Sequence, residues 1–441
     1  MTQTFEDKQN IEFNDKFAFC YDLLENDNCN LFITGKAGTG KSTLLEYFRD
    51  HTTKKVVFLA PTGVAAVNIK GQTIHSFFCF RPDTTPENIF SIRLHRSQRR
   101  LYESLDAVVI DEVSMVRADL LDCIDAFLRL YGKKKDQPFG GVQMIFFGDL
   151  YQLPPVVTQR EQSLFRDVYP SPFFFDAKAY KYLNLRLVEL EKIYRQSDQE
   201  FINLLGGLRN RTFSRWDMVE LNRRVNPGFK IPRGEYYISL TTTNAIADRV
   251  NQEQLANLDG DVCEREGDLI GEFKEKDLPT RLTLKLKEGA QVMMLNNDPQ
   301  GRWVNGTIGK ITFLDEEGFG EGSVEVKIQG GNIVEVKPVT WEMFRFFFNE
   351  DTQGIESEVV GSFSQLPLKL AWAVTIHKSQ GKTFDKVIID IGNGTFSHGQ
   401  IYVAMSRCTT FEGIVLRKPI YDHHVLLDPR VVEYMSANQC S

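Results

Sequence analysis

Four short apolar runs punctuate the first 150 residues: LFITG at 31–35, KVVFLAP at 55–61, DAVVIDE at 106–112 and MIFFGD at 144–149. Their Val, Ile, Leu and Phe residues are consecutive rather than alternating, as strands buried on both faces of a parallel sheet require. Stretches of helical spacing lie between them, STLLEYFRD being the clearest, and each run ends in glycine, proline or acid. The pattern predicts a doubly wound α/β domain.

A second α/β region is expected from about residue 184, carried by RLVELEKIYRQ, YYISLTTTNAIADRVN, KVIIDIG at 386–392 and GIVLRK at 413–418. Within it, from about 289 to 363, the period changes to two. VEVKIQGGNIVEV at 324–336 reads as a hairpin about Gly330-Gly331, and several hairpins in one stretch predict a small inserted barrel. Between 69 and 103 the strand rhythm also lapses, and Arg93, His95, Arg96, Arg99 and Arg100 cluster. That stretch reads as an insertion, its charge either a solvated helix face or an arm touching DNA.

The 441 residues are too many for one core and fit two or more domains; 42% hydrophobic and 25% charged residues make the chain globular rather than disordered. A net charge of -7 argues against a general nucleic-acid glue, yet leaves room for a local basic channel. Cys20, Cys29, Cys79, Cys123, Cys263, Cys408 and Cys440 form no C-x-x-C pair, and their odd number closes no disulfide framework. With no apolar run of membrane length and no signal-like start, the expectation is a cytoplasmic protein in a reducing compartment.

Candidate chemistry begins at GKAGTGKST. Gly35, Gly40, Lys41 and Ser42 satisfy G-x-x-x-x-G-K-[ST] directly after one strand and before a helix. Small residues let the amides of Ala37, Gly38, Thr39, Gly40 and Thr43 approach phosphate oxygens, Lys41 reaches the β and γ phosphates, and Ser42 ligates Mg²⁺. Asp111 and Glu112, at the end of AVVIDE, supply one carboxylate for the Mg²⁺ shell, through water, and one to polarise attacking water. FFGDLYQLPPV then brings Asp149 and Gln152 to the same sheet edge, Gln152 as a reader of the γ-phosphate.

These three elements, followed in order by EKIYRQ, TTTNAIADRVN, LAWAVTIHKSQGKTF and YVAMSRC, and joined by APTGVAAVNI and GQTIHSFF, resemble the motif series of superfamily 1B helicases. The PIF (petite integration frequency) helicases match best and the RecD-like helicases next, over about residues 13–430. The resemblance implies two RecA-like P-loop domains in tandem, with a small insertion in the first and an SH3-like β-barrel in the second. The implied arrangement is 14–65 with 103–183 as domain 1A, 66–102 as a wedge, 184–287 with 367–433 as domain 2A, and 288–366 as the barrel. Residues 1–13 and 434–441 are the tails.

The resemblance also implies ATP and Mg²⁺ as cofactors, and Arg195 and Arg407 as arginines delivered to the γ-phosphate. Gly381 joins the nucleotide contacts. Thr62, Gly63, Thr73, His75, Asn244, Thr375, His377 and Lys378 are the implied DNA contacts; His75 and His377 can equally be structural histidines. Phe77, Phe78 and Phe80 are base-stacking or core residues. Where the family places a glutamine that reads adenine this chain has Phe17, with Gln9 the nearest glutamine. The function implied is ATP-dependent 5′-to-3′ DNA unwinding, on single-stranded and forked DNA and also G-quadruplexes and RNA–DNA hybrids, by a monomer that sometimes dimerises on DNA. A translocase that strips proteins without unpairing strands, a regulatory P-loop switch and a RecD-like subunit of a nuclease complex remain as alternatives.

Overall fold

The computed structural model describes residues 14–438 apart from 82, 158, 197, 315–321, 393 and 396. Its first sheet holds β1 (Leu31–Gly35), β2 (Val56–Ala60), β3 (Gln72–Thr73), β4 (Ala107–Ile110), β5 (Gln143–Phe147) and β6 (Arg186–Leu190). All neighbours run parallel in the order β3-β2-β4-β5-β1-β6. Between the strands lie α1 (Asp15–Asn26), α2 (Lys41–His51), α3 (Gly63–Asn68), α4 (Ile74–Phe77), α5 (Arg96–Ser104) and α6 (Ala118–Tyr131). Strands β1, β2, β4 and β5 are buried at every position, and the reason is layering. Leu31 and Ile33 pack in one apolar cluster with Leu23, Leu44 and Phe48 of α1 and α2, whereas Phe32 points into the opposite cluster with Ile124 and Phe127 of α6.

Three expected boundaries shift, one of them the tail expected from 434: residues 434–438 belong to the helix Pro429–Asn438, where Met435 is buried and Tyr434 stacks on Phe175. The strand expected to open the second half, β6, pairs in parallel with β1 and completes the first sheet. Only two of its five residues are buried, so its half-polar edge-strand pattern did not reveal which sheet it joins. The stretch 66–102, expected as a separate insertion, also begins inside this unit: β3 pairs with β2. Phe77, Phe78, Phe80 and Tyr102 are buried in its core, with Phe78 and Phe127 ring centroids 5.2 Å apart. An aromatic run of this size is most stable out of water, which settles core packing over base stacking for those three phenylalanines.

After α7 (Gln159–Val168), α8 (Gln199–Asn210) and α9 (Arg215–Asn222), β7 (Ile238–Thr241) starts a second parallel sheet, followed by α10 (Asn244–Ala256). Ten strands intervene: β8 (Cys263–Glu266), β9 (Asp268–Gly271), β10 (Thr283–Leu286), β11 (Gln291–Met294), β12 (Ile308–Leu314), β13 (Val324–Ile328), β14 (Ile333–Val336), β15 (Val339–Asn349), β16 (Gly354–Gln365) and β17 (Leu368–Leu370). The sheet resumes with β18 (Ala373–Thr375), β19 (Val387–Asp390), α11 (Gln400–Met405) and β20 (Ile414–Leu416), in the order β18-β7-β19-β20, and α12 (Pro429–Asn438) closes the described chain.

Strands β14-β13-β12-β11-β17 form an antiparallel five-stranded sheet, and the Gly330-Gly331 hairpin forms with both glycines at positive φ. The long β15–β16 hairpin leaves this region and reaches back to the first unit. There the Phe346 amide donates to Gln72 Oε1 at 3.0 Å, Arg100 pairs with Glu350, and the Lys55 ammonium lies 5.7 Å from the Phe348 ring centre. No helix among the described residues is long and apolar enough to cross a membrane.

Candidate functional site: a cleft between two parallel sheets

The glycine loop leaves β1 and enters α2. Gly38 and Gly40 stand at φ +81° and +86°, where a side chain is strained, so their lack of a Cβ sets the loop's shape. Thr39 is buried and its hydroxyl donates to the Lys36 carbonyl at 2.9 Å. Lys41 Nζ donates to the carbonyls of Gly35 at 2.7 Å and Lys36 at 2.9 Å, which folds the ammonium back over the loop. Burial pulls its pKa below the usual lysine value, Asp149 and Glu112 opposing the shift. Ala37, Ser42 and Thr43 line the same cavity of about 880 Å³, a size that suits a nucleotide.

Asp111 and Glu112 follow β4 and face that cavity. Burial raises the pKa of both carboxyls, and the Asp111 charge raises Glu112 further. Glu112 sits at φ +50°, ψ +43°, a left-handed backbone that non-glycine residues rarely adopt and that turns its carboxylate off the strand. Asp149, 1% exposed, is a hub. It takes Arg209 Nη2 from α8 at 3.0 Å and Gln152 Nε2 at 3.4 Å, and the Tyr402 hydroxyl of α11 lies 3.4 Å from it. That hydroxyl accepts from the Ala37 amide at 2.9 Å, tying α11 to the phosphate loop.

The two arginines reach the cleft by different routes. The Tyr194 amide donates to the Gly38 carbonyl at 2.8 Å, and a Cβ on Gly38 would meet Arg195 Cβ at 2.5 Å, so the IYRQ segment rests on the phosphate loop itself. Arg195 Nη1 then reaches across to the Ser406 carbonyl at 3.3 Å. Arg407, 1% exposed, comes from the far sheet, its guanidinium donating to the carbonyls of Val403 (3.0 Å), Ser379 (3.5 Å) and Lys382 (3.4 Å) and to Ser406 Oγ (2.9 Å). Burial and the neighbouring Arg195 charge pull it down to about 9. Two cations so close, both lining the cavity with Lys41, make a strong anion site.

The remaining expected contacts fall at helix starts and in one loop. Thr62 and Thr73 cap α3 and α4, accepting from the Ala65 and Ser76 amides, and Asn244 is the exposed first residue of α10. His75 is exposed on α4 and His377 is half-buried, burial lowering the pKa of the latter. Gly63 packs against Asp277, whose side chain a Cβ there would strike. Thr375 Oγ1 accepts from the Lys378 amide at 3.2 Å, shaping a tight turn that leads into the cavity at Gly381.

Residues 14–217 match the model of the PIF1-like helicase family; residues 272–314 match the DNA helicase Pif1 2B domain and 370–410 the UvrD-like helicase C-terminal domain. The chain is 31% identical to an ATP-dependent DNA helicase Pif1 of Bdellovibrio bacteriovorus, covering 96% of this chain and 92% of that one. It belongs to the PIF1-like helicases. The human relative, ATP-dependent DNA helicase PIF1, is 34% identical over 92% of this chain, which spans 60% of its length. A Bacteroides Pif1 crystallised with ADP-AlF4 shares 35% identity and superposes with a TM-score of 0.88, covering 98% of both chains. A Bacteroides Pif1 bound to ssDNA, at 36% identity and 97% coverage of both chains, gives 0.68.

Three residues of this PIF1-like cleft were missed in the sequence: Gln380, Tyr402 and Arg209. Gln380 Nε2 donates to Glu112 Oε2 at 2.9 Å and to Gln152 Oε1 at 3.1 Å. Its place between Lys378 and Gly381, both already singled out, was the available signal. Arg209 and Tyr402 carried none, since a helical arginine or tyrosine is an ordinary surface or core residue. Phe17, standing for the family's glutamine, is 6% exposed and lines the nucleotide cavity beside Tyr194, whose hydroxyl accepts from Asn14 Nδ2 at 2.9 Å. Gln9 lies outside the described residues.

Proposed function

We propose that the protein is an ATP-dependent 5′-to-3′ DNA helicase that moves along single-stranded DNA and opens forked duplexes. The observation that supports this most is the joint lining of one cavity by Lys41, Asp111 and Glu112 from the first sheet and Arg407 from the second. Closure on the triphosphate brings the guanidiniums to the γ-phosphate while Glu112 takes a proton from the attacking water, and Gln152 reads the same phosphate. The polarity rests on the family resemblance.

Mg²⁺ fits the donors present. Ser42 and Asp111 offer the hard oxygens it prefers, and the buried carboxylates with raised pKa values gain from a nearby divalent charge. Held with substrate phosphates and water, magnesium would need only one or two protein ligands, and it would neutralise negative charge on the triphosphate.

On the strand side, Thr62, Gly63, Thr73 and His75 of the first RecA-like domain and Asn244, Thr375, His377 and Lys378 of the second form the track. The exposed basic face of 66–102, outside the buried β3 and aromatic run, serves as the wedge, and the sheet β14-β13-β12-β11-β17, read as the SH3-like barrel, covers the strand. G-quadruplexes and RNA–DNA hybrids are further substrates, and the working unit is a monomer that pairs on DNA. The test is ATP turnover with and without oligonucleotides, then unwinding of fluorescent forks with 5′ or 3′ tails. Release only from 5′-tailed forks supports the reading. Strand-stimulated ATPase with no release leaves a translocase, and ATPase indifferent to DNA leaves a switch.

A further inference from the structure

Gln380 occupies an unusual position. Its amide bonds Glu112 and Gln152 across the cleft, 268 and 228 residues away in sequence, joining the second domain to the group that activates water and the group that reads the γ-phosphate. Two more contacts bind its loop to the machinery, because the Arg407 guanidinium donates to the carbonyls of Ser379 and Lys382 on either side. The loop is short and tightly turned: the Gln380 amide bonds the His377 carbonyl at 3.2 Å, and Ser379 Oγ bonds the Ile376 carbonyl at 2.7 Å. Directly after it, Gly381 has φ +78°, a left-handed backbone that glycine adopts without strain, and no atom lies within 4 Å of where a Cβ would stand.

We propose that Gln380 is a positioning residue that latches Glu112 while no strand is bound and releases it when a strand grips residues 375–378. The latch rests on the strand track argued above. An amide donating to Glu112 Oε2 occupies one of the carboxylate's lone pairs, lowers its basicity and holds the group turned toward Gln380 rather than toward a water on the phosphate. A strand phosphate held at Thr375 and Lys378 moves the same rigid turn. The amide withdraws about the Gly381 hinge, Glu112 and Gln152 turn to the phosphate, and fuel use begins only with a strand in place. This supplies a physical route by which polynucleotide stimulates hydrolysis.

The experiment compares the full-length protein with Gln380→Ala and Gln380→Asn, the latter one methylene too short to span both partners. Each is assayed for ATP turnover with and without a deoxythymidine oligonucleotide, for oligonucleotide affinity by fluorescence anisotropy, and for thermal midpoint. Loss of one charge-assisted bond predicts that strand-free kcat rises roughly tenfold in both variants. KM for ATP and oligonucleotide affinity stay at wild-type values, and the stimulation ratio falls by the same factor. Adding Glu112→Gln must abolish the released turnover. An equal fall of kcat with and without strand, at an unchanged thermal midpoint, overturns the latch and makes Gln380 a phosphate contact. Strand-free turnover that does not rise while wild-type protein binds the oligonucleotide overturns the latch alone; wild-type protein that binds no oligonucleotide overturns both the latch and the strand track.

Discussion

Arg209 Nη2 lies 3.0 Å from Asp149 Oδ1, the side chains 3% and 0% exposed, with the guanidinium carbon 4.1 Å from the centre of the Tyr151 ring. The pair joins α8 to the loop after β5, and through Tyr402 it holds the Ala37 amide of the phosphate loop. An interior charge so placed matters most when its partner is removed.

Arg209→Ala is therefore expected to destabilise the protein by about 3–5 kcal/mol, because Asp149 is left buried and unpaired. The double variant with Asp149→Asn should recover part of that loss. Urea unfolding of the wild type, the two single variants and the double variant measures it, and additive losses would show that the two side chains do not interact.

Arg195→Ala and Arg407→Ala are each expected to lower strand-stimulated kcat on the order of 10³-fold, the low end for a guanidinium that stabilises transferring phosphoryl. ATP binding, followed by a fluorescent analogue, should change far less. Since Arg407 also braces the 379–382 loop, thermal midpoints must accompany its kinetics, whereas Arg195 makes one long bond to the Ser406 carbonyl and gives the cleaner reading.

Lys378 is exposed on the turn that follows β18. If it neutralises one strand phosphate, Lys378→Ala should weaken oligonucleotide binding alike for all sequences and reduce the slope of log K against log salt by about 0.7. Anisotropy titrations from low to high sodium chloride read both, and an unchanged slope would remove Lys378 from the track.

Lys369 on β17 offers a pH test. Burial, then the charges of Lys382 and Lys378, pulls it to about 7, below its ordinary 10.5. Between these values the unfolded chain holds the proton more tightly than the folded one, so stability from this group rises with pH from about 7 and levels off near 10.5. Lys369→Met should stabilise the protein at pH 7 and flatten that rise. Urea midpoints at pH 7 and pH 9 decide it, and a parallel rise in both proteins would clear Lys369.

The phosphate loop was legible because its chemistry is local: spacing, small residues and a preceding strand are all contiguous. The apolar runs at 31–35 and 144–149 were legible for the same reason, since burial on both faces leaves no polar position to mislead. Strand β6 was not, because an edge strand with a half-polar face carries no mark of the sheet it joins. The docking of Phe346 on Gln72 and the bonds of Gln380 join surfaces hundreds of residues apart, and no periodicity encodes such a meeting. Family resemblance named Arg407 as a finger. That its guanidinium also braces the loop at 379–382 is visible only in the folded structure.

Glu112 has one more lesson in its backbone. Holding a glutamate at φ +50° costs energy that glycine would not incur, so the chain is less stable where it is most needed. Glycine there would give a sturdier molecule that lacks the proposed base. Selection for thermal robustness alone would push this position toward loss of its acid, and a thermostabilised variant of this protein should be checked at residue 112 before its fitness is credited to better packing.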